Sequence, residues 1–300
     1  MPEFNESRYI PPLNIGEDAG NMRNVLITGC SSGIGYCVAK GLRERGYQVF
    51  ASARKDEDVE RLEGEGFKTL KLDLADPESV QDAVYELMLR TNSELYAVFH
   101  NGAYGQAGAL EDLSREAMEK QFAANVFGWH QLTVMLMPIL RQRNEGRIIY
   151  NSSLLGYVAL PFRGAYNASK YAVEGMADTL RLELADTDIK VCLIEPGPIE
   201  SRFRANALQS LKEQVNIDQS VHRLKYQGAI RRLEKVGPAA PFTLPPEAVL
   251  EKVIHALESP HPRARYRVTV PAHLFWILRR LLPTGWLDKV LLRISNQENQ

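Results

Sequence analysis

The chain has 300 residues, 45% hydrophobic and 24% charged, with a formal net charge of -1. That length and mix suit a globular protein with a sizeable core, and the near-neutral balance gives no pull toward nucleic acid or acidic surfaces. Three cysteines (Cys30, Cys37, Cys192) without CxxC spacing argue against a disulfide framework or a metal site and fit a reducing cytoplasm.

Residues 1–22 are polar and rich in Pro and Gly, and read as a flexible leader without the basic and apolar regions of a signal peptide. No apolar run is long enough to span a bilayer. Asn24 to Thr28 is a short β-branched run expected to form a buried parallel strand. It leads into Gly29-Cys30-Ser31-Ser32-Gly33-Ile34-Gly35 and then a helical pattern to about Arg45. Strand, glycine turn and helix N-terminus make an anion cradle, because free backbone amides and the helix dipole face a phosphate that glycines let approach. A tight turn with packing glycines is the bland alternative.

Tyr47 to Ala51 is the expected second strand, followed by Ser52-Ala53-Arg54-Lys55. A dinucleotide fold often carries a carboxylate here for the ribose hydroxyl. Arg54 instead suits a 2′-phosphate and so NADP, unless it is a solvated loop charge. Lys68 to Leu72 is a third strand, closed by Asp73-Leu74; Asp73 either accepts from an adenine amino group or simply ends the strand. Asp76 caps a helix with Pro77 in its first turn, running to about Arg90. Leu95 to Phe99 is a fourth strand, ending in His100-Asn101-Gly102-Ala103, whose small residues let a loop pass under a ribose.

Ser114 caps a helical stretch from Arg115 to about Gln142, expected to break near Pro138. Asn125 within it must satisfy its amide, and periodicity favours a structural role over a catalytic one. Arg147 to Asn151 is a fifth strand with Ser152-Ser153 at its C-terminal end, where open α/β sheets build their sites. The stretch Gly164-Ala165-Tyr166-Asn167-Ala168-Ser169-Lys170 opens the next helix. Tyr166 and Lys170 are four residues apart and share a helix face, so an ammonium there is expected to lower the phenol's pKa and ready it for proton transfer.

Ile189 to Ile194 is a sixth strand, followed by the rigid loop Glu195-Pro196-Gly197-Pro198-Ile199. Residues 202–244 read as a partly helical substrate cap, and Pro245-Pro246-Glu247 opens a helix to about Leu257. Tyr266 to Val270 is a seventh strand. The apolar tail, residues 271–300, reads better as helices packed on the cap or a second subunit than as a weak peripheral membrane contact. The repeated strand-helix pattern predicts an α/β fold: a doubly wound, Rossmann-type parallel sheet of seven strands with helices on both faces, in one domain over residues 23–300.

Taken together these residues resemble the short-chain dehydrogenase/reductase family, over roughly residues 23–270. Thr28-Gly29-xxx-Gly33-Ile34-Gly35 is similar to its cofactor motif, and Pro196-Gly197 to the loop after its sixth strand. Asn125, Ser153 (thirteen residues before Tyr166) and Tyr166-xxx-Lys170 are similar to its catalytic set. The Ala53-Arg54 pair and Ile194-Glu195-Pro196-Gly197-Pro198-Ile199 look like a bacterial branch of NADPH-dependent aldehyde reductases related to retinol and 17β-hydroxysteroid dehydrogenases. His100-Asn101-Gly102-Ala103 departs from the family's usual Asn-Asn-Ala-Gly and is expected to weaken or shift cofactor contacts there.

The resemblance implies a cytoplasmic, homo-oligomeric (dimeric or tetrameric) enzyme that uses NADP(H) on a hydrophobic aldehyde, ketone or alcohol, with no metal. It places Gly29, Ser31, Ser32, Gly33, Ile34, Gly35, Arg54, Asp73, Leu74, Asn101, Gly102, Ala103, Tyr166, Lys170, Pro196, Gly197 and Ile199 against the cofactor. Tyr166 would be the acid/base, Ser153 the carbonyl anchor, Lys170 the group that tunes the phenol and holds the ribose, and Asn125 the holder of a water. Two alternatives remain at this stage: a non-catalytic NADP-binding sensor or scaffold, and a peripheral membrane enzyme acting on a retinoid or steroid.

Overall fold

The computed structural model describes residues 23–238 and 240–298. The expected leader, residues 1–22, lies outside them. Seven parallel strands form one sheet in the order β3-β2-β1-β4-β5-β6-β7. They are β1 (Asn24–Ile27), β2 (Gln48–Ala53), β3 (Lys68–Lys71), β4 (Ala97–His100), β5 (Glu145–Asn151), β6 (Asp188–Pro196) and β7 (Arg265–Val268). Strand order reverses between β1 and β4, so the crevice at their C-terminal ends is where a doubly wound sheet takes a ligand. Ile27 pairs with Ala51 on one side and Phe99 on the other, which brings the ends of these strands level.

Successive β1 residues point to opposite faces, and the core divides accordingly. Leu26 joins Phe50, Val98, Ile148 and Leu193 under α3 (Pro77–Thr91), α5 (Gly128–Arg143) and α6 (Gly164–Glu183), which contribute Val84, Trp129, Leu136 and Val173. Val25 and Ile27 join Ala51, Phe99, Ile149 and Ile194 under α1 (Gly33–Glu44) and α9 (Glu247–Glu258), which contribute Val38, Leu42, Val249 and Val253. Burial of each large aliphatic side chain is worth roughly 1.5–3 kcal/mol, and near-continuous apolar strands are what two covered faces require.

The expected boundaries differ from the structure in three places. A helix, α2 (Asp56–Gly64), joins β2 to β3 where no element was expected; Leu62 is its one fully buried residue, so no apolar periodicity marks it. The long helical stretch breaks at a π-helical turn over Ala123–Phe127, between α4 (Arg115–Phe122) and α5, and not at Pro138, which lies inside α5. The last strand stops at Val268, because Thr269 (φ 89°) caps α10 (Val270–Leu281) through its hydroxyl. Asp76 caps α3 as expected, accepting from the Glu78 amide.

The 202–244 stretch forms α7 (Phe203–Gln214) and α8 (Arg223–Glu234), which pack together through Leu211, Tyr226 and Leu233. The Tyr226 hydroxyl donates to Asp112, and that carboxylate also accepts from Ser220, so the cap is anchored to the body of the fold. The tail forms α10 and α11 (Thr284–Glu298); it packs Phe275, Leu287 and Leu291 onto Leu154, Leu155, Val158 and Leu160, the segment leading from β5 to α6. Among the described residues no helix is long and apolar enough to cross a membrane.

Candidate active site

The glycine turn is built by close backbone approach. Gly29 sits at φ +70°, and a Cβ there would lie 2.5 Å from the Gly102 Cα. A Cβ on Gly35 would lie 2.2 Å from the Gly29 carbonyl oxygen. Side chains at either position are therefore excluded. Thr28 Oγ1 accepts from the amides of Asn101 (2.9 Å) and Gly102 (2.8 Å). The Asn101 amide donates to the carbonyls of Thr28 (3.1 Å) and Gly29 (3.2 Å), and its oxygen accepts from Asn151 Nδ2 at 2.9 Å. The ends of β1, β4 and β5 are thus laced together. Ser32 precedes α1 without a side-chain cap, so the first amides of that helix lack one internal partner beside the crevice.

The departure at residues 100–103 is accommodated. His100 turns away from the crevice into the core, stacked on Tyr150 with ring centroids 4.7 Å apart. Gly102 occupies the position facing Gly29, where a Cβ would meet Leu74 Cδ1 at 3.0 Å.

The second wall comes from β5 and α6. Ser153 follows the end of β5 and accepts from the Leu155 amide at 3.1 Å, which starts a single helical turn over Leu154–Gly156. Tyr166 and Lys170 lie one turn apart near the start of α6. Lys170 Nζ donates to the Asn151 carbonyl at 2.7 Å and sits 4.5 Å from the centre of the Trp129 ring and 5.6 Å from that of Tyr166. Burial pushes the Tyr166 phenol up to about 12, with the nearby Ser153 hydroxyl and the Arg163 charge opposing. Burial likewise pushes Lys170 down to about 7, with Glu174 opposing.

This reverses the direction expected from spacing. Desolvation disfavours the charged form of both groups, and Lys170 is not among the groups that lower the phenol. The phenol is thereby held protonated, the form a proton donor needs.

Asn125 lies in the π-helical turn, fully buried. Its amide nitrogen donates to the Tyr104 carbonyl (2.9 Å) and to Ser169 Oγ (3.2 Å), and its oxygen accepts from the Tyr104 amide (3.2 Å). The side chain thus clamps the loop after β4 against α6 at the residue before Lys170. These bonds serve the packing of α6, and they are set there by a π turn of the kind often found at functional sites.

A family profile described as short chain dehydrogenase matches residues 23–212. The chain is a short-chain dehydrogenase/reductase. A relative from Escherichia coli (strain K12), the uncharacterized oxidoreductase YbbO, is 45% identical over 269 residues, covering 90% of this chain and 94% of its own length. The NADPH-dependent 3-dehydrocapnine reductase of Ornithobacterium rhinotracheale is 32% identical over 280 residues, covering 91% and 97%. A short-chain dehydrogenase structure from Streptomyces avermitilis superposes with a TM-score of 0.71 at 25% identity, covering 93% of this chain and 97% of that one. The chain is accordingly an oxidoreductase of this family.

In this short-chain dehydrogenase the two walls enclose one cavity of about 1180 Å³. Of the residues singled out in the sequence, Gly29, Ser31, Ser32, Gly33, Ile34, Asn101, Gly102, Ala103, Ser153, Tyr166, Lys170, Pro196, Gly197 and Ile199 line it. Gly35, Arg54, Asp73, Leu74 and Asn125 stand behind or beside that lining. Gly35 and Leu74 support the backbone of the glycine turn. Asp73 accepts from the Ala75 amide at 3.0 Å, closing the turn after β3. Arg54 is exposed just past the end of β2, and no described acid pairs with it.

Three contributors lie outside the candidate site residues of the sequence, though one, Phe203, belongs to the expected cap over 202–244. Asn151 joins Lys170 to Asn101, Trp129 roofs the Lys170 ammonium, and Phe203 packs edge-on to Tyr166 at 5.1 Å. Asn151 had a signal, since it adjoins Ser152-Ser153 at the end of a strand; the other two are tertiary contacts without a local pattern. Among the described residues no group of three or more His, Cys, Asp or Glu side chains gathers as metal ligands would.

Proposed function

We propose that this chain is an NADP(H)-dependent reductase of a hydrophobic aldehyde or ketone, working in reverse on the alcohol when the coenzyme balance allows. The observation that carries the reading is the shared cavity: Ser153, Tyr166 and Lys170 on one wall, the glycine cradle on the other, and an apolar cap above. The cradle fits a dinucleotide, since Gly29, Ser31, Ser32, Gly33 and Ile34 line the cavity at the uncapped N-terminus of α1. Exposed Arg54, in place of a carboxylate past β2, favours a 2′-phosphate. The NADPH dependence of the 3-dehydrocapnine reductase supports the same coenzyme.

When bound, the dinucleotide supplies the hydride. The chain's residues do the rest. Ser153 donates a hydrogen bond to the substrate carbonyl oxygen and holds it beside the phenol. Tyr166, kept protonated by burial, passes its proton to that oxygen as negative charge develops. Lys170, near neutrality in its charge balance, returns a proton toward the phenol and is fixed by Asn151. Asn125 positions this helix through Ser169. Phe203, Leu211, Tyr226, Leu233 and Phe275 give the cavity its apolar lining, which excludes water and suits an apolar substrate.

The test is NADPH oxidation over a panel of aliphatic and aromatic aldehydes and ketones, with wild type and Tyr166→Phe. Turnover in wild type, lost by roughly 100-fold or more in the variant with NADPH binding retained, is the expected result. Equal turnover in the two proteins refutes the assignment. Thermal protection by NADPH with no turnover on any carbonyl favours a dinucleotide-binding sensor.

A further inference from the structure

A cluster of charge lies against the catalytic wall, and the mechanism above does not use it. Glu174 is one turn beyond Lys170 on the same face of α6, and both are buried, with 9% and 1% of their surfaces exposed. Arg265 of β7 reaches Glu174 Oε2 at 3.1 Å, Asp178 Oδ2 at 2.7 Å and, through Nε, Glu195 Oε1 at 3.0 Å. Arg267 lies 3.2 Å from the other Glu195 oxygen. Glu195 is 1% exposed at the end of β6, directly before the Pro196-Gly197 loop that lines the cavity.

The Glu174 side chain also lies against the turn that carries the serine. A Cβ built on Gly156 would lie 2.8 Å from Ser152 Oγ, 2.9 Å from Glu174 Cγ and 3.2 Å from Glu174 Oε1. Gly156, Ser152 and Glu174 therefore meet at one point, and only a glycine fits between them. Burying carboxylates costs several kcal/mol per ion, and apolar residues of similar volume often hold a fold as well or better. Placement against a buried lysine and a catalytic turn gives this carboxylate another use.

We propose that Glu174 is a positioning residue of the reaction, holding Lys170 in its ammonium form and bracing Ser152 so that Ser153 stays against Tyr166. The proposal rests on the reductase reading above. The groups facing Lys170 are Tyr166 and Glu174 from α6, the Asn151 carbonyl from β5 and the Trp129 ring from α5. Those facing Glu174 are Lys170 and Asp178 from its own helix, Arg265 from β7, Glu195 from β6, and Ser152 and Tyr157 from the segment after β5. Glu174 opposes the loss of the Lys170 proton. Burial pushes the Glu174 carboxyl up, and Ser152 and Arg265 oppose that rise.

The sign follows directly. Without the Glu174 charge, the Lys170 ammonium is less favoured and the lysine empties at lower pH. The test is a carbon-13 titration of lysine ε-carbons and glutamate carboxyls in the full chain without substrate, beside pH profiles of reductive kcat. In wild type the Glu174 carboxyl signal responds as Lys170 titrates. In Glu174→Gln the ammonium-to-amine ratio at a given pH falls about tenfold, as expected for loss of a partner charge one helical turn away at an effective dielectric of ~40. The alkaline fall in kcat moves to lower pH by the same factor, and KM for NADPH is unchanged. Glu174→Asp restores most of the ratio.

An unchanged Lys170 titration in Glu174→Gln, or lower thermal stability with a superimposable pH profile, overturns the proposal. If that variant does not fold, the wild-type spectra decide: a Lys170 titration with no response at Glu174 refutes the pairing. Absence of wild-type turnover would count against the reductase reading instead, since the titration needs no substrate.

Discussion

His100 is expected to make the protein lose stability in mild acid. Its ring is fully buried, and Nε2 lies 3.0 Å from Thr133 Oγ1. The Thr133 hydroxyl has one proton, which goes to the Trp129 carbonyl at 2.8 Å, because a carbonyl can only accept. Thr133 Oγ1 must then accept from His100, so Nε2 carries the hydrogen. Nδ1 is buried without a hydrogen-bond partner. Protonating it would place a charge where nothing receives it, and burial pushes the imidazole down from its ordinary 6.5 to about 3.

Below 6.5 the unfolded chain therefore takes up a proton that the folded chain refuses, and stability falls as pH drops through that window. The loss is about 1.4 kcal/mol per pH unit, or about 2 kcal/mol near pH 5, a large share of a typical ~5–15 kcal/mol. Urea midpoints measured from pH 7.5 to pH 5 for wild type and His100→Asn read it out. Asn is the residue this family usually carries there; it loses the stack on Tyr150 and starts less stable, but its acid slope is shallower by the stated amount. Carboxylates such as Glu195, pushed up to about 7, contribute equally to both proteins and cancel in the difference. Parallel slopes for the two proteins refute the reasoning.

Arg54→Ala is expected to weaken NADPH binding by roughly 10- to 100-fold, the worth of a charge-assisted hydrogen bond, while NADH changes little; titration with both coenzymes checks it, and equal losses would place Arg54 away from the phosphate. Gly35→Ala drives a Cβ to 2.2 Å from the Gly29 carbonyl, so it should lower Tm and abolish thermal protection by NADPH together. Phe275→Ala, in the cluster behind Leu154 and Leu155, should cost about 3 kcal/mol and lower kcat more than it raises KM for NADPH. Unchanged kinetics in that variant would show that the tail only adds stability.

Where local chemistry sufficed, the sequence was enough. Asp76 before Pro77 marked a helix start, and β-branched runs ending in glycine or serine marked β1 and β5 with their site-bearing ends. The Tyr166-Lys170 spacing marked a shared face. What stayed hidden depends on three-dimensional neighbours. A polar helix such as α2 buries too little to show a period. The helical stretch changes geometry at the π turn that holds Asn125 and carries Pro138 inside α5, so the proline alone misplaced the break. The direction of the Tyr166 and Lys170 shifts is set by how much protein closes over them, which spacing cannot report. Trp129 and Phe203 reach the site from distant helices and look like ordinary core residues in the chain.

The tail helices give catalysis a place in the order of synthesis. Tyr157 donates to the Ala272 carbonyl at 2.6 Å, and Phe275, Leu287 and Leu291 close over the segment that carries Ser153. A nascent chain halted before residue 270 owns its phosphate cradle and its tyrosine, yet the serine's turn still has solvent behind it. The apolar backing of the Ser153 turn is therefore among the last parts of the site to be made.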